Sequence, residues 1–147
     1  MPPAPVPPEV AAFLAGANPA VVATLRPDGS PHTTATWYEW RPDGTVLLNM
    51  DEVRPRLRWM RRDARVALTC FDPGTFYRHV SLLGEVTEVY EDADRADIDR
   101  IAMRYTGRPY PRHDHRRWSA VMRVDAWHGW DRDPREGARP DRPRLPV

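Results

Sequence analysis

The chain has 147 residues and carries 22 basic and 21 acidic side chains, so its formal net charge at pH 7 is only +1. This balance argues against nucleic-acid binding, which usually requires a clear excess of positive charge. All of the basic side chains other than histidine are arginine, and the lack of lysine excludes Schiff-base catalysis and a Walker-type phosphate loop.

The length is that of one domain, with a folded body between two tails. Proline dominates the first eight residues, and the last stretch is rich in proline and arginine with few large apolar side chains. We therefore expect flexible tails at residues 1–8 and 131–147 and a folded domain at residues 9–130. Cys70 is the only cysteine and no apolar stretch is long enough to span a membrane, so a cytoplasmic protein is predicted.

The first predicted element is a helix at residues 9–15, because Val10, Phe13 and Leu14 are spaced three and four residues apart. Two copies of the tetrapeptide Arg-Pro-Asp-Gly follow, and this order of proline and glycine is typical of tight turns. They separate three β-rich runs, at residues 20–25, 32–40 and 45–50. Three strands joined by two tight turns indicate an antiparallel meander.

The rest of the chain continues in the same way. The remaining predicted elements are a helix at residues 54–62, strands at 66–71 and 77–90, a helix at 92–105 and a strand at 119–128. Pro55 suits the first turn of its helix, and Gly84 predicts a bulge or bend within a long strand. Six strands with short helices and no βαβ alternation predict a small, closed or nearly closed antiparallel barrel.

Six arginines fall within twelve residues, in the second helix and the turn after it. Arg54, Arg56 and Arg58 lie at the predicted helix start, where free backbone N–H groups and the helix dipole already favour anions. Guanidinium groups bind phosphate through paired hydrogen bonds, so these three predict a nucleotide-like phosphate ligand. The later arginines, including Arg62, are interpreted as a solvated helix face.

Six tryptophans are more than a barrel of this size is expected to bury, which predicts a subunit interface where a flat ring ligand could stack. A metal site is not expected, because His113 and His115 lie in a proline-flanked loop with no further ligand at a recognisable spacing. No pattern indicates hydrolase chemistry, and no residue is singled out as catalytic.

Four parts of the sequence, in chain order, resemble the split-barrel superfamily of pyridoxamine 5′-phosphate oxidase. They are residues 23–31 (ATLRPDGSP) with 36–38 (TWY), residues 54–66 (RPRLRWMRRDARV), residues 77–80 (YRHV) with 84–86 (GEV), and residues 104–110 (RYTGRPY). The last two are similar to the subgroup that uses the deazaflavin coenzyme F420. Arg56 stands where the family usually has lysine, which preserves the charge, and Trp59 and Ala64 replace a usual asparagine and proline.

The resemblance implies a mainly β fold, a six-stranded antiparallel split barrel with short helices. It further implies a homodimer with the cofactor at the subunit interface, and hydride transfer between F420 and an unsaturated or quinone-like small molecule. The implied cofactor-binding residues are His32, Thr34, Thr36, Trp37, Asn49, Met50, Arg54, Arg56 and Arg58, with Tyr77 and Arg78 acting in the site of the other subunit. Two alternatives stay open: an FMN-dependent enzyme of the same fold, and a non-catalytic protein that binds a flavin, a deazaflavin or a haem-type tetrapyrrole.

Overall fold

Seven strands form one antiparallel sheet in the computed structural model, which describes residues 1–131. The strands are β1 (Ala20–Leu25), β2 (Pro31–Thr36), β3 (Glu39–Trp40), β4 (Val46–Asp51), β5 (Arg65–Asp72), β6 (Thr75–Glu91) and β7 (Arg117–Gly129). The helices are α1 (Pro8–Leu14), α2 (Pro55–Arg62) and α3 (Ala96–Thr106). The predicted mainly β class with short helices is confirmed.

The strands are ordered β2-β1-β5-β6-β7-β4-β3, and β2 and β3 therefore lie at opposite edges. No ladder joins these two edges within residues 1–131, so the sheet is not closed. The prediction of six strands is wrong by one, because the strand expected at residues 32–40 breaks at Trp37 and Tyr38. Tyr38 is fully buried and donates its hydroxyl hydrogen to the carbonyl oxygen of Leu14 at 2.8 Å, which draws this part of the chain away from the sheet.

The two Arg-Pro-Asp-Gly turns form as predicted and share one construction. Each ends in a glycine with positive φ (83° and 80°), a conformation that glycine adopts without steric cost. Asp28 accepts hydrogen bonds from the backbone and hydroxyl of Ser30, and Asp43 accepts the same pair from Thr45. These bonds lower the pKa of both carboxyl groups. The turns close the β1–β2 and β3–β4 hairpins, but β2 and β3 do not pair, so the meander is interrupted between them.

Every residue of β4 is buried, which places this strand at the centre of the packing. Val46, Leu48 and Met50 belong to the main core inside the curved sheet. Leu47 faces the other way and packs with Ile101 of α3 in a second cluster. Helix α3 thus covers the outer face of β4, where a strand would otherwise show alternating burial.

Helix α3 begins at Ala96, later than predicted, because Arg95 has a left-handed φ of 63°. Asp92, the first residue of the predicted helix, caps this end through its side chain. The Asp92 carboxylate accepts hydrogen bonds from the backbone N–H groups of Asp97 at 3.1 Å and Ile98 at 2.9 Å. It thereby satisfies two of the donors that a helix start leaves unpaired.

Residues 1–8, predicted as a flexible tail, lie in part along β7. The backbone N–H of Ala4 donates to the carbonyl oxygen of Asp125 at 2.9 Å, and that of Trp127 donates to the carbonyl oxygen of Pro2 at 3.0 Å. Of the predicted C-terminal tail at residues 131–147, all but Asp131 lies outside the described residues. None of the helices in residues 1–131 is long and apolar enough to cross a membrane.

Candidate functional site

A cavity of about 540 Å³ lies where the ends of several strands meet the start of α2 and one face of α3. This volume is within the range of roughly 300–1,000 Å³ that is typical of small-molecule sites. One wall is apolar and is built from Pro19, Val21, Ala35, Phe71, Ile98 and Ile101. The polar part of the lining, called the charged end below, contains Asn49, Arg56 and Arg117. The lining therefore offers both an apolar surface and positive charge.

The charged end is a cluster of three arginines around one carboxylate. Asp51 binds Arg54, with Nε at 3.2 Å from Oδ2, and the same oxygen lies 3.8 Å from a terminal nitrogen of Arg117. Arg56, in the first turn of α2, has a buried Nε with no hydrogen-bond partner among the described residues, and Oδ1 of Asp51 is likewise unpaired there. Burial, and then the neighbouring Arg54, lower the pKa of Arg56. An anionic ligand would satisfy such a buried, unpaired guanidinium.

Arg117 is held in place more firmly than the other two arginines. Arg117 is the first residue of β7 and pairs with Asp51 of β4, and it is only 7% exposed. Its Nε donates to Oδ1 of Asn49 at 2.9 Å, and its guanidinium carbon lies 4.7 Å from the centre of the Tyr110 ring. Burial lowers its pKa. The guanidinium group of Arg117 thus contacts both the Asn49 amide and the Tyr110 ring.

Three aromatic rings form a border beside the apolar wall, and one of them, Tyr105, belongs to α3. Trp37 stacks on Tyr105, with ring centres 5.2 Å apart and planes 13° apart, and meets Tyr110 edge-on at 6.2 Å. The Tyr105 hydroxyl donates to the carbonyl oxygen of Asn18 at 2.7 Å, and burial raises the pKa of Tyr105 to about 12. None of the described residues lining this cavity is an aspartate, glutamate, histidine or cysteine. The lining therefore offers binding surfaces and positive charge rather than a general acid–base pair.

A smaller cavity of about 150 Å³ adjoins the first. The two cavities share Tyr110 and Arg117. The other lining residues of the smaller cavity are Asp51, Val53, Arg54, Arg112, Asp114 and His115. Arg117 therefore stands in a wall common to both.

The structure brings together some of the residues that the resemblance implies and separates others. Thr36, Trp37, Asn49 and Arg56 line the larger cavity, and Arg54 lines the smaller one. The remaining implied residues line neither; they are His32, Thr34, Met50, Arg58, Tyr77 and Arg78.

The structure shows where four of these residues lie instead. The Met50 side chain is 1% exposed and belongs to the main core, so the side chain does not reach the cavity, and the role of Met50 in cofactor binding stays a prediction. The His32 ring packs edge-on against Trp59, with ring centres 5.2 Å apart, and its Nδ1 lies 3.4 Å from the Thr34 hydroxyl oxygen. Arg58 is exposed on α2. Tyr77 and Arg78 were assigned to the site of a second subunit, and that assignment stays a prediction.

Sequence reasoning missed Arg117 as a site residue. Its position depends on the register that sets β7 against β4, and no local pattern around residue 117 reveals that pairing. Tyr105 and Tyr110 were not singled out either, although both fall within the segment at residues 104–110 that resembles the deazaflavin subgroup. That segment was the available signal for the aromatic border.

Comparisons with known proteins agree with this geometry. A sequence model of the family described as pyridoxamine 5′-phosphate oxidase matches residues 6–131. No curated protein gives a match. Among solved structures, a protein named F420 Reductase is 26% identical with a TM-score of 0.76, and the match covers 84% of this chain and 98% of that one.

Two further structures extend the comparison. A conserved hypothetical protein from Mycobacterium tuberculosis is 26% identical with a TM-score of 0.68, over 99% of this chain and 93% of its own. General Stress Protein 26 from Bacillus anthracis is 15% identical with a TM-score of 0.62, and the match covers 85% of this chain and 94% of that one. This likeness shows a shared fold alone. Together with the family match, these likenesses confirm the predicted split-barrel class.

Proposed function

The chain belongs to the pyridoxamine 5′-phosphate oxidase family, and from that premise we propose that it is an oxidoreductase that binds a flavin-type cofactor, coenzyme F420, in the larger cavity. The observation that carries the proposal is the buried, unpaired Nε of Arg56 at the cationic end of a cavity with an apolar wall. The likeness to the structure named F420 Reductase supports the choice of a deazaflavin.

The residues present fit both parts of such a cofactor. A phosphate group needs donors and positive charge, which Arg56 supplies with Arg54 beside it. A fused aromatic ring needs an apolar surface of suitable size, which the wall between Val21 and Ile101 supplies. One cavity thus offers both kinds of surface that such a ligand needs.

A bound deazaflavin supplies the hydride chemistry, and the protein contributes binding, orientation and charge. Arg56 would hold the anionic part of the cofactor, and the apolar lining residues would contact its ring. Trp37 and Tyr105 stack on each other and fix one side of that wall. We propose an unsaturated or quinone-like small molecule as the partner in hydride transfer, because an apolar surface without acid–base groups suits a flat, uncharged acceptor.

We also propose that the site is completed by a second copy of the chain. Tyr77 and Arg78 lie near the start of β6 and line neither cavity of their own subunit. The preceding residue, Phe76, is 69% exposed and is in contact with Tyr77, with ring centres 4.7 Å apart. An aromatic pair at a hairpin end, with Phe76 exposed and Tyr77 half-buried, is suited to an interface.

The test of the function is a fluorescence titration of the protein with F420 and with FMN. Arg56→Ala removes a charge-assisted interaction, and we expect a loss of roughly 10- to 150-fold in cofactor affinity. Arg56→Lys keeps the charge and should recover most of the binding. Arg62→Ala is the matched control, because Arg62 is exposed on the same helix and lines neither cavity.

The outcomes separate the candidates. Tight binding of F420 and turnover with a quinone support the proposal. Preferential binding of FMN supports the alternative enzyme of the same fold, and binding without turnover supports a carrier. Equal, near-wild-type affinities for Arg56→Ala and Arg62→Ala would show that the arginines form only a charged surface.

A further inference from the structure

Four arginines line the two adjoining cavities, namely Arg54, Arg56, Arg112 and Arg117, against two aspartates, Asp51 and Asp114, so positive charge is in excess there. Among residues 1–131, Asp51 is the only carboxylate within ion-pair distance of Arg117, at 3.8 Å, and it is also bound by Arg54 at 3.2 Å. Arg56 adds a third guanidinium group to the same cluster. Burying unbalanced charge is costly, and the cost is removed when an anion completes the cluster.

Asn49 is fully engaged by other protein groups. Its side-chain nitrogen donates to Asp92 at 3.0 Å and to Ser119 at 3.1 Å, and its side-chain oxygen accepts from Nε of Arg117 at 2.9 Å. An asparagine amide offers two donor hydrogens and one acceptor oxygen, so both donors are already in use. Asn49 thus has no free donor for an anionic ligand, although it lines the cavity.

Asp92 and Ser119 are themselves fixed. Asp92 accepts from two backbone N–H groups at the start of α3, and Ser119 donates to Asp97 at 2.7 Å. The amide of Asn49 is therefore locked in one orientation by β7 and by the start of α3. In that orientation its oxygen accepts from Nε of Arg117 at 2.9 Å, one terminal nitrogen of Arg117 lies 3.8 Å from Asp51, and Arg117 lines both cavities.

We propose that Arg117 is an anion-binding residue of this site and that Asn49 is the positioning residue that holds it there. The ligand group is a phosphate or a comparable anion, seated between Arg56 and Arg117 at the junction of the two cavities. This inference rests on the proposed function for the identity of the whole ligand, but not for the anion itself.

The first measurement uses the wild-type protein, so it does not depend on a variant that folds. Titration with inorganic phosphate, followed by NMR of the arginine Nε–H groups, should shift the resonances of Arg117 and Arg56. The resonance of Arg62 serves as an internal control and should stay unchanged. Unchanged resonances of Arg117 throughout the titration would overturn the proposal.

The second measurement compares variants by cofactor titration. Arg117→Met keeps much of the side-chain length without the charge, and we expect a loss of roughly tenfold or more in affinity for F420 or FMN. Arg117→Lys restores the charge and should recover part of it. Thermal unfolding of each variant shows whether the fold is kept; if Arg117→Met does not fold, the wild-type titration decides.

A double-mutant cycle tests the role of Asn49. If Asn49 acts through Arg117, Asn49→Ala weakens binding in the wild-type background and has almost no further effect in the Arg117→Met background. A purely structural role would lower stability in both backgrounds without this coupling in affinity. Additive effects on affinity would overturn the positioning role.

Failure of this inference is distinguishable from failure of the proposed function. If Arg117 responds to phosphate but neither F420 nor FMN binds, the anion site stands and the proposed function fails. If F420 binds and depends on Arg56 but not on Arg117, the function stands and this inference fails.

Discussion

Cys70 and Tyr38 are weak acids buried together in the core, and both are fully inaccessible to solvent. Burial raises the pKa of Cys70 to about 12 and also raises the pKa of Tyr38. In the unfolded chain a cysteine thiol ionises near pH 8.5. Above that pH the folded state binds more protons than the unfolded state, so the free energy of unfolding falls as pH rises.

We therefore predict a loss of stability between about pH 8.5 and pH 12 that is partly due to this one thiol. Cys70→Ala removes its titration, and the slope of the unfolding free energy against pH should become shallower by about 1.4 kcal/mol per pH unit. Urea unfolding at a series of pH values measures both slopes. Identical slopes for the two proteins would show that Cys70 does not keep its proton in the folded state.

Individual residues of the site differ in how far the local sequence predicts them. Arg56 was predictable because it follows Pro55 at a helix start, a feature read from adjacent residues. Arg117 was not predictable, because its place in the site depends on its pairing with Asp51, which is more than sixty residues away in the sequence. Met50 was assigned through the family resemblance alone, whereas strand alternation places its side chain in the core.

At the scale of elements, Gly84 marks a place where β6 and β7 approach too closely for a side chain. The register between the strands shifts at Leu83/Gly84, which confirms the predicted irregularity. A Cβ atom on Gly84 would lie 1.8 Å from the carbonyl oxygen of Arg123, and neither backbone can yield without disturbing the pairing.

We predict that Gly84→Ala lowers the free energy of unfolding by about 1–3 kcal/mol or more, as overpacking of a closed site does. Gly74→Ala is the control, in the turn between β5 and β6. There the nearest atom is the tip of the Asp72 side chain at 3.2 Å, which can move. Urea unfolding of the two variants tests the difference, and equal stabilities would contradict the close approach.

The N-terminal segment supports a second prediction about elements. Its two backbone hydrogen bonds to β7 contribute about 0.5–1.5 kcal/mol each, and Ala4 and Val6 pack against the core. Deleting residues 2–5 should therefore destabilise the fold by about 1–3 kcal/mol. The control replaces Pro2 and Pro3 with alanine, which keeps the backbone groups that bind β7. An unchanged melting temperature after deletion would mean that the segment contributes nothing in solution.

The break between β2 and β3 shows why element boundaries were harder to predict than element types. Residues 32–40 have the composition of one strand, since threonine, tryptophan and tyrosine all favour β structure. The break is caused by burial of Tyr38 and by its bond to Leu14, a residue 24 positions away. The two turns, in contrast, were predictable because Pro, Asp and Gly act within four residues.

On the scale of the whole molecule, the tryptophans are the clearest sign of an incomplete surface. All six are only partly buried in the single chain, and none is enclosed by its core. Phe76 at 69% exposed and Val53 at 57% exposed add apolar surface near the hairpin end and near the smaller cavity. A second subunit would cover such surface, as the aromatic content of the sequence already indicated.

We predict a homodimer that buries on the order of 2,000 Å² or more, because an obligate interface of this kind usually reaches that size. Light scattering at micromolar concentration should give twice the mass of the chain. Phe76→Glu places a charge beside Tyr77 and should shift the protein toward the monomer. The cofactor affinity of Phe76→Glu should fall as the dimer dissociates, since Tyr77 and Arg78 are proposed to complete the site of the other subunit.

Met103→Glu provides the control for this prediction. Met103 is also a large exposed side chain, 49% exposed, but it lies on α3 and no part of the proposed interface includes it. It should leave both the mass and the cofactor affinity unchanged. A monomeric wild-type protein that still binds cofactor tightly would contradict the shared site, because one chain would then suffice. A dimer that persists in Phe76→Glu with full affinity would instead place the interface elsewhere on the sheet.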